Sequence, residues 1–299
     1  MDTFTADSLT FPVTVSGPPD GDPVVLLHGF PQDSSSWTDV AALLADRGYR
    51  SYAPDLRGYA ATARPQGRRS YSVAALAGDV VALVQRMGGP VHVVGHDWGG
   101  SLLWTLRQTH PDLFLSVTII STPHPAALAW AMPRSDQALR SWYITAIALP
   151  RVPEAFLTNL LDRFLIRSGL PAERATYYRD RMREDDGRAT ASLNWYRQML
   201  VERLRPRSAP KVIKSPDRHQ HGVPPTTYLW GEDDSFLGPA AARRTVDTIP
   251  DIKFIALAGG GHWLPETHPA EVCAAIIDTA SVAAPAIPAL DPGGDTEED

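Results

Sequence analysis

A turn between a predicted strand and a predicted helix constrains this chain more than any other feature, because an aspartate stands at its centre. Residues 95–100 have the sequence Gly-His-Asp-Trp-Gly-Gly, with an apolar run over residues 90–94 before them and a helical pattern over residues 101–106 after them. Glycines suit such a turn because its backbone angles are strained and the strand and helix approach closely. The turn therefore projects the Asp97 side chain over the end of a sheet at a helix N-terminus, which favours the ionised carboxylate. Such a carboxylate can attack carbon without an activating base, whereas an ordinary Asp–Gly loop is the alternative for this motif taken alone.

The composition is that of a folded domain with a sizeable core. The chain has 299 residues, of which 43% are hydrophobic and 21% are charged. Its formal net charge is −6, but residues 281–299 hold five acids and no Lys or Arg, so the rest of the chain is close to neutral. We therefore expect no nucleic-acid partner, and we predict that the acidic tail is disordered.

The single cysteine and the apolar runs bear on the compartment. Cys273 excludes an intramolecular disulfide, which fits a reducing compartment, and we expect it to be a structural residue on a C-terminal helix. Residues 1–7 carry acids and lack an apolar run, so no signal peptide is expected, and no stretch approaches 18 apolar residues. These observations predict a cytoplasmic protein without a membrane-spanning helix.

Apolar strands alternate with helical patterns along most of the chain, which predicts a mainly parallel sheet with right-handed crossovers. Between about residues 123 and 222 the pattern changes to helical periods with many Arg and aromatic residues. We interpret that part as a helical cap inserted into the sheet domain. The predicted boundaries are 1–123 and 223–280 for the core, 124–222 for the cap and 281–299 for the tail. Other predicted strands cover residues 9–16, 24–28, 49–53, 117–120, 226–231 and 254–257, and the predicted core helices cover 37–46, 73–87, 240–248 and 270–279.

Three side chains fall at the ends of predicted strands, in the chain order Asp97, Asp234 and His262. Catalytic groups of open α/β sheets gather at the carboxyl ends of strands, and nucleophile, acid, base is the order of the α/β-hydrolase triad. His262 follows a three-glycine turn that lets an imidazole reach the nucleophile, and Asp234 is placed to bind its Nδ1–H and fix the tautomer. Glu232 and Asp233 are rival acids, and a solvated acidic turn is the alternative for this segment.

The loop after the predicted strand 24–28 is expected to complete the site. It contains His28, Phe30 and Pro31. In this kind of fold such a loop donates one backbone N–H to an oxyanion, and the residue after the nucleophile donates another. We therefore predict that the N–H groups of Phe30 and Trp98 form an oxyanion hole. Either a cis peptide bond or the fixed φ of Pro31 would aim the loop, and His28 is interpreted as a hydrogen-bonded structural histidine.

Five runs along the chain carry a family resemblance. They are His28-Gly29-Phe30-Pro31-Gln32, Asp55-Leu56-Arg57-Gly58-Tyr59, Gly95-His96-Asp97-Trp98-Gly99-Gly100, Asn194-Trp195-Tyr196-Arg197 and Gly261-His262-Trp263. Together they resemble the epoxide hydrolase family of α/β hydrolases, in particular its actinobacterial-type members, over about residues 10–280. The resemblance implies an α/β-hydrolase fold, with a mostly parallel eight-stranded sheet and an inserted helical cap. Ile147 and Ala148 stand where many relatives have a Phe-Gln pair, which leaves the substrate range open.

Two tyrosines of the predicted cap are candidates for binding the epoxide oxygen. The family holds this oxygen with two cap tyrosines, and the resemblance places one at Tyr196 and the other at Tyr143. Opening an epoxide creates an alkoxide that a carboxylate nucleophile cannot protonate, whereas two phenols can hydrogen-bond the oxygen and deliver a proton. Packing on a cap helix is the alternative for both, with Tyr177, Tyr178 and Tyr228 as fallback donors. The predicted substrate pocket contains His28, Pro31, Trp98, Trp142, Ile147 and Trp263.

The resemblance implies an epoxide hydrolase that forms a vicinal diol through a covalent ester on Asp97, with water activated by His262 and Asp234. The expected partners are a small apolar epoxide and water, detoxification is the expected role, and a homodimer is left open. No cofactor or metal is expected, since His219 and His221 lie in a loop without an obvious third ligand. A haloalkane or haloacid dehalogenase would use the same aspartate with halide-binding N–H groups in place of phenols. The third hypothesis is a ligand-binding protein of this fold without activity.

Overall fold

The strands of the protein join in one sheet in a computed structural model that describes residues 2–147, 149, 151–204 and 222–283. These strands are β1 (Thr3–Ala6), β2 (Leu9–Ser16), β3 (Asp22–Leu27), β4 (Tyr49–Pro54), β5 (Val91–His96), β6 (Phe114–Ile120), β7 (Thr226–Gly231) and β8 (Ile252–Leu257). Their order across the sheet is β1-β2-β4-β3-β5-β6-β7-β8. The pairs β1–β2 and β2–β4 are antiparallel, and the five other pairs are parallel. The prediction of a mostly parallel eight-stranded sheet is confirmed.

Helices cover both faces of the sheet and occupy the long connection between β6 and β7. Outside that connection they are α1 (Thr38–Ala45), α2 (Val73–Met87), α3 (Trp98–Thr109), α11 (Pro239–Thr248), α12 (Leu264–Thr267) and α13 (Pro269–Ser281). Within it they are α4 (Pro125–Ala131), α5 (Gln137–Arg140), α6 (Trp142–Ile147), α7 (Val152–Asn159), α8 (Leu161–Arg167), α9 (Ala172–Glu184) and α10 (Arg188–Leu204). Short 3₁₀ helices cover Ser34–Trp37, Ala61–Ala63, Arg68–Tyr71 and Pro111–Leu113.

Two hydrophobic cores lie on the two faces of the sheet, because successive residues of a strand point to opposite sides. On β3, Val25 and Leu27 pack in the core that contains α2 and α3. Val24 and Leu26 pack in the core that contains α1 and α13. All six residues of β5 and of β7 are buried, as expected for strands covered on both faces. The loops that follow these strands therefore start from rigid supports.

The first strand and several element ends differ from the sequence predictions. β1 was not predicted, because it has only four residues, two of them threonine, and only Phe4 is buried at this edge of the sheet. β6 begins at Phe114 rather than at residue 117, and β3 ends at Leu27, one residue before His28. These shifts leave the predicted order of strands and helices unchanged.

The described residues between β6 and β7 form helices α4–α10 without a strand, and we name this part the helical insertion. The division into a core and a cap at residues 124 and 222 stays a prediction. Residues 205–221, which include His219 and His221, and the tail from residue 284 lie outside the described residues. Among the helices that the structure describes, none combines the length and the apolar character needed to cross a membrane.

Candidate active site

Asp97 stands at the turn between β5 and α3, at the carboxyl end of β5. Its φ is +50°, which is strained for a residue with a side chain. The strand and helix can approach closely because glycine has no Cβ. A Cβ on Gly99 would overlap the carbonyl group of Leu27, and a Cβ on Gly95 would overlap Gly99. Thr122 Oγ1 donates a hydrogen bond to the Asp97 carbonyl oxygen at 2.8 Å and holds the turn from behind. The predicted strand, turn and helix around Asp97 are all present.

The loop after β3 lies against the Asp97 carboxylate. The Phe30 N–H donates to Asp97 Oδ1 at 2.9 Å, and the neighbouring Trp98 N–H helps to lower the pKa of this carboxyl group. Gly29 permits the approach, because a Cβ there would overlap the Asp97 side chain. The Phe30–Pro31 peptide bond is cis. Of the two N–H groups predicted for the oxyanion hole, that of Phe30 binds the Asp97 carboxylate, and that of Trp98 stabilises its charged form.

Burial and hydrogen bonding act on Asp97 in opposite directions. Burial raises the pKa of Asp97, and the charge of Asp234 adds to this rise, whereas His262 and the N–H groups of Phe30 and Trp98 lower it. The net pKa of Asp97 lies above its ordinary value. The sequence predicts an ionised carboxylate from its place at a helix N-terminus, whereas burial of the side chain acts against ionisation. The anion is thus supported by its donors and opposed by its desolvation.

Asp234 and His262 lie on the loops after β7 and β8 and contact each other. His262 Nδ1 donates to Asp234 Oδ2 at 2.8 Å, and His262 Nε2 lies 3.8 Å from Asp97 Oδ2. The other Asp234 oxygen, Oδ1, accepts from the N–H groups of Phe236 at 2.8 Å and Leu237 at 3.0 Å. An ionised carboxylate can only accept, so the imidazole proton is on Nδ1 and Nε2 is free to take another.

The charges around His262 favour its protonated form. Burial lowers the pKa of His262, but the charge and hydrogen bond of Asp234 and the charge of Asp97 raise it by more, so that the net pKa lies above 6.5.

The rival acids Glu232 and Asp233 are exposed, whereas Asp234 is buried. The structure therefore places Asp234, and neither rival, against the imidazole.

Tyr143 on α6 and Tyr196 on α10 approach Asp97 from the helical insertion. Their ring centroids lie 6.4 Å apart at an interplanar angle of 77°. Tyr196 also packs edge-on against Trp98 at 5.0 Å and Phe30 at 5.3 Å. Burial raises the pKa of both phenols well above 10, and the charge of Asp97 acts in the same direction. Both phenols therefore stay protonated at neutral pH and can donate.

Three cavities meet around these side chains. One of about 30 Å³ is lined by Asp97, Tyr143, Tyr196 and His262, among others, and a second of about 80 Å³ shares the first three. A third, of about 200 Å³, shares Tyr143 with both and has an apolar lining. Asp97 and the two phenols thus face common space. Of the predicted pocket residues, Pro31 and Trp263 line the first cavity, Trp98 the second, and Trp142 and Ile147 the third.

His28 does not line these cavities, which corrects its assignment to the substrate pocket. It is fully buried, and its ring is held in place on both sides. Its Nδ1 donates to the Gly29 carbonyl oxygen at 2.9 Å, and its Nε2 accepts from the Leu56 N–H at 3.0 Å. Burial lowers the pKa of His28, which fits this neutral tautomer. The predicted structural role explains why the ring cannot reach the substrate space.

The fallback tyrosines serve other contacts. The Tyr177 hydroxyl donates to Asp33 at 3.2 Å, and the Tyr178 hydroxyl donates to Glu266 at 2.9 Å. Tyr228 is fully buried on β7. None of these three tyrosines lines the three cavities around Asp97.

Sequence reasoning missed the residues that support His262. Its carbonyl oxygen accepts from Ser121 Oγ at 2.8 Å and lies 2.9 Å from His96 Nε2. The Phe236 ring lies 4.9 Å from the His262 ring and 5.7 Å from the Tyr143 ring. Phe236 stands two residues after Asp234. An aspartate often accepts hydrogen bonds from the N–H groups of the residues that follow it in a turn. The sequence therefore contained a local signal for this contact. The contacts from Ser121 and His96 had no local signal.

Two further sequence expectations concern metal binding and the cysteine. Within the part of the chain that the structure describes, no three His, Cys, Asp or Glu side chains are grouped so that they could hold a metal ion. Cys273 is buried on α13, a position that fits the expected structural role.

Comparisons with known proteins agree with this architecture. The family described as alpha/beta hydrolase fold matches residues 22–269. The chain is 32% identical over 282 residues to the AB hydrolase superfamily protein YfhM of Bacillus subtilis, covering 91% of this chain and 94% of that protein. It is 29% identical over 308 residues to epoxide hydrolase A of Mycobacterium tuberculosis, covering 89% and 92%. The crystal structure of an epoxide hydrolase from Vigna radiata matches with a TM-score of 0.73 and 25% identity, over 93% of this chain and 96% of that chain. These matches confirm the resemblance and the fold class inferred from the sequence.

Proposed function

The chain belongs to the α/β-hydrolase fold family, and from this membership and the geometry around Asp97 we propose that it is an epoxide hydrolase. One observation carries the proposal. Two protonated phenols, Tyr143 and Tyr196, line the same two cavities as the Asp97 carboxylate. When a carboxylate attacks an epoxide carbon, the ring C–O bond breaks and the epoxide oxygen becomes negatively charged. A hydrogen-bond donor is then needed on the side of that oxygen. The Mycobacterium tuberculosis and Vigna radiata relatives, both called epoxide hydrolases, support the proposal.

In the first proposed step an Asp97 oxygen attacks an epoxide carbon and the ring C–O bond breaks. The oxygen that leaves takes a proton from Tyr143 or Tyr196, which becomes a phenolate. The product of this step is a hydroxyalkyl ester on Asp97. The high pKa of both phenols means that the proton moves only as negative charge develops on that oxygen.

In the second proposed step His262 Nε2 takes a proton from water, and the hydroxide attacks the ester carbonyl carbon of Asp97. Asp234 orients the imidazole and stabilises the imidazolium that forms. The N–H groups of Phe30 and Trp98 stabilise the tetrahedral oxyanion. Before hydrolysis the phenolate recovers a proton from solvent, because the pKa of either phenol is well above 10. Collapse then releases the diol, which takes its second hydroxyl proton from His262, and Asp97 returns the remaining proton of the water to solvent.

The lining of the largest of the three cavities supports an apolar substituent on the epoxide. Its walls include Phe156, Leu157, Phe164 and Leu193, and Trp142 lies at its exposed side. An apolar wall binds apolar groups by removing their surface from water. A small apolar epoxide is therefore the proposed substrate class.

Mass spectrometry of the intact His262→Gln variant tests the proposal. The variant is incubated with a panel of aryl and alkyl epoxides and of chloro- and bromoalkanes. We expect an adduct with the mass of a whole epoxide, because alkylation of Asp97 proceeds while hydrolysis stalls. The Asp97→Ala/His262→Gln double variant is the control and should form no adduct.

Other outcomes would contradict the proposal in different ways. An adduct with the mass of a haloalkane minus hydrogen halide, and none from epoxides, would make the protein a dehalogenase. Recovery of every compound unchanged, with tight binding of one of them, would make it a receptor. An epoxide adduct that persists in the double variant would remove Asp97 from the role of nucleophile.

A further inference from the structure

Arg197 follows Tyr196 on α10, and its guanidinium lies against the end of the helix that carries Tyr143. Its Nε donates to the Ile147 carbonyl oxygen at 3.0 Å, and its Nη2 donates to the Leu149 carbonyl oxygen at 2.9 Å. Ile147 is the last residue of α6. One side chain of α10 thus caps the C-terminus of α6.

A carboxylate fixes the guanidinium in this position. Glu154, in the first turn of α7, accepts from Arg197 Nη1 at 2.7 Å and from Nη2 at 3.1 Å. The Arg197 side chain is 15% exposed and that of Glu154 is 23% exposed. Burial raises the pKa of Glu154, but the bonds and charge of Arg197 lower it by more, so that it stays ionised. A paired fork of this kind sets both the distance and the angle of the guanidinium.

The helix that carries Tyr143 needs an external support. α6 has only six residues, Trp142–Ile147, and so short a helix is not stable by itself in water. The last carbonyl groups of a helix have no N–H donor within the helix. A cationic side chain at the C-terminus can donate to them and also interacts favourably with the helix dipole. Tyr143 lies in the first turn, so a shift of the helix end moves the phenol with it.

The longer helix has supports of its own in the sheet domain. Trp195 Nε1 donates to the Arg57 carbonyl oxygen at 2.8 Å, and the fully buried Arg188 binds Asp33 at 2.9 Å. Tyr196, next to Trp195, also packs on rings of the sheet domain. Tyr196 is therefore held by the sheet domain in addition to its ring contact with Tyr143, whereas the end of α6 is held by α10 through Arg197.

We propose that Arg197 is a positioning residue that sets Tyr143 relative to Tyr196, so that both phenols reach one epoxide oxygen. The inference rests on the proposed function. The ring separation of 6.4 Å between the two tyrosines is the quantity that Arg197 maintains. Loss of its hydrogen bonds lets α6 move while α10 stays, which removes the donation from Tyr143 and retains that from Tyr196.

A double-mutant cycle on the alkylation step tests the inference. Adduct formation is timed by intact-protein mass spectrometry in the His262→Gln background with an epoxide that labels it. Arg197→Met should slow alkylation by between about tenfold and hundredfold, since a misplacement of about 1 Å can cost that much. With Tyr143→Phe already present, Arg197→Met should cost less than about threefold more, because it acts through the missing hydroxyl. With Tyr196→Phe present, it should cost its full factor.

Two further variants separate positioning from general stability. Arg197→Lys keeps a cation but offers no planar fork, so it should recover only part of the rate. Glu154→Gln leaves the two carbonyl bonds of Arg197 possible and should cost less than Arg197→Met. Equal costs of Arg197→Met in all three backgrounds would overturn the inference and leave the proposed function standing. Absence of any adduct in the His262→Gln parent would overturn both.

Discussion

The two halves of the candidate site are built by different means. On the sheet side, Asp234 and His262 follow the ends of β7 and β8. Backbone N–H groups bind the Asp234 carboxylate oxygen that does not contact the imidazole. On the other side, Tyr143 and Tyr196 are held by ring packing between helices and by one guanidinium at a helix end. These donors lie in a turn that starts a few residues after a buried strand, whereas packed helices can slide by small amounts. We therefore expect the sheet side to hold Asp97, Asp234 and His262 in place, and the helical insertion to tolerate small shifts without loss of the fold.

The largest expected effect is on the sheet side. Asp234→Asn should reduce kcat by about 10⁴-fold, because an amide can leave the imidazole in the wrong tautomer, as found for a serine protease triad. The ester on Asp97 should accumulate, since its hydrolysis depends on His262 more than its formation does. Steady-state turnover and the mass of the trapped enzyme measure both parts.

The exposed rival acids provide the control for that variant. Asp233→Asn and Glu232→Gln should leave kcat within about twofold of the parent, as expected for surface substitutions away from the site. A loss in Asp233→Asn that matches the loss in Asp234→Asn would refute the assignment of the acid.

The next largest effect concerns the buried ion pair that connects the two halves. Arg188 begins α10, is fully buried, and pairs with Asp33, which is itself 4% exposed, at 2.9 Å. Arg188→Met should reduce the free energy of unfolding by about 3 kcal/mol, because it removes the nearest cation from the buried Asp33 carboxylate and leaves, among the described residues, only Arg181, at 3.9 Å, as an ion-pair partner. The double variant Asp33→Asn/Arg188→Met should regain part of this loss. Urea unfolding of the three proteins measures the difference. A loss below about 1 kcal/mol in the single variant would show that this ion pair contributes little to stability.

A smaller effect is expected for each phenol on its own. Tyr143→Phe and Tyr196→Phe should each slow alkylation by about tenfold to hundredfold, and the pair together should cost about 10³-fold or more. Hydrolysis of an ester already formed should stay within about threefold, because neither phenol takes part in that step as proposed. Stopped-flow and single-turnover measurements separate the two steps. Equal losses in both steps would mean that the tyrosines shape the pocket and do not donate.

The sheet side was also the half that the sequence predicted in more detail. Glycines at the turn, strands buried on both faces and residues that follow strand ends are local signals, and they located Asp97, Asp234 and His262. The choice among three neighbouring acids needed the structure, because only burial separates Asp234 from Glu232 and Asp233.

The helical insertion gave much weaker local signals. Tyr143 and Tyr196 were singled out by family resemblance alone, since a helical tyrosine is in itself a common packing residue. The contacts of Arg197 with Ile147 and Glu154 span 50 and 43 residues of the chain, and no sequence period reports them. Likewise, the buried ring of His28 accepts a hydrogen bond from Leu56, which lies 28 residues further along the chain.

The smallest effect that we predict is a pH shift that links the two steps at His262. The pKa of this imidazole lies above 6.5 in the free enzyme, where burial lowers it and the charges of Asp234 and Asp97 raise it by more. The base must be unprotonated, so ester hydrolysis falls as the pH decreases through that pKa. Once the ester forms, Asp97 is neutral and no longer raises the pKa. The acid limb of single-turnover hydrolysis should therefore lie at lower pH than the NMR titration of His262 in the free enzyme. Asp97→Asn should shift the NMR titration in the same direction, and an acid limb at or above the free-enzyme titration would mean that the charge of Asp97 does not reach the base.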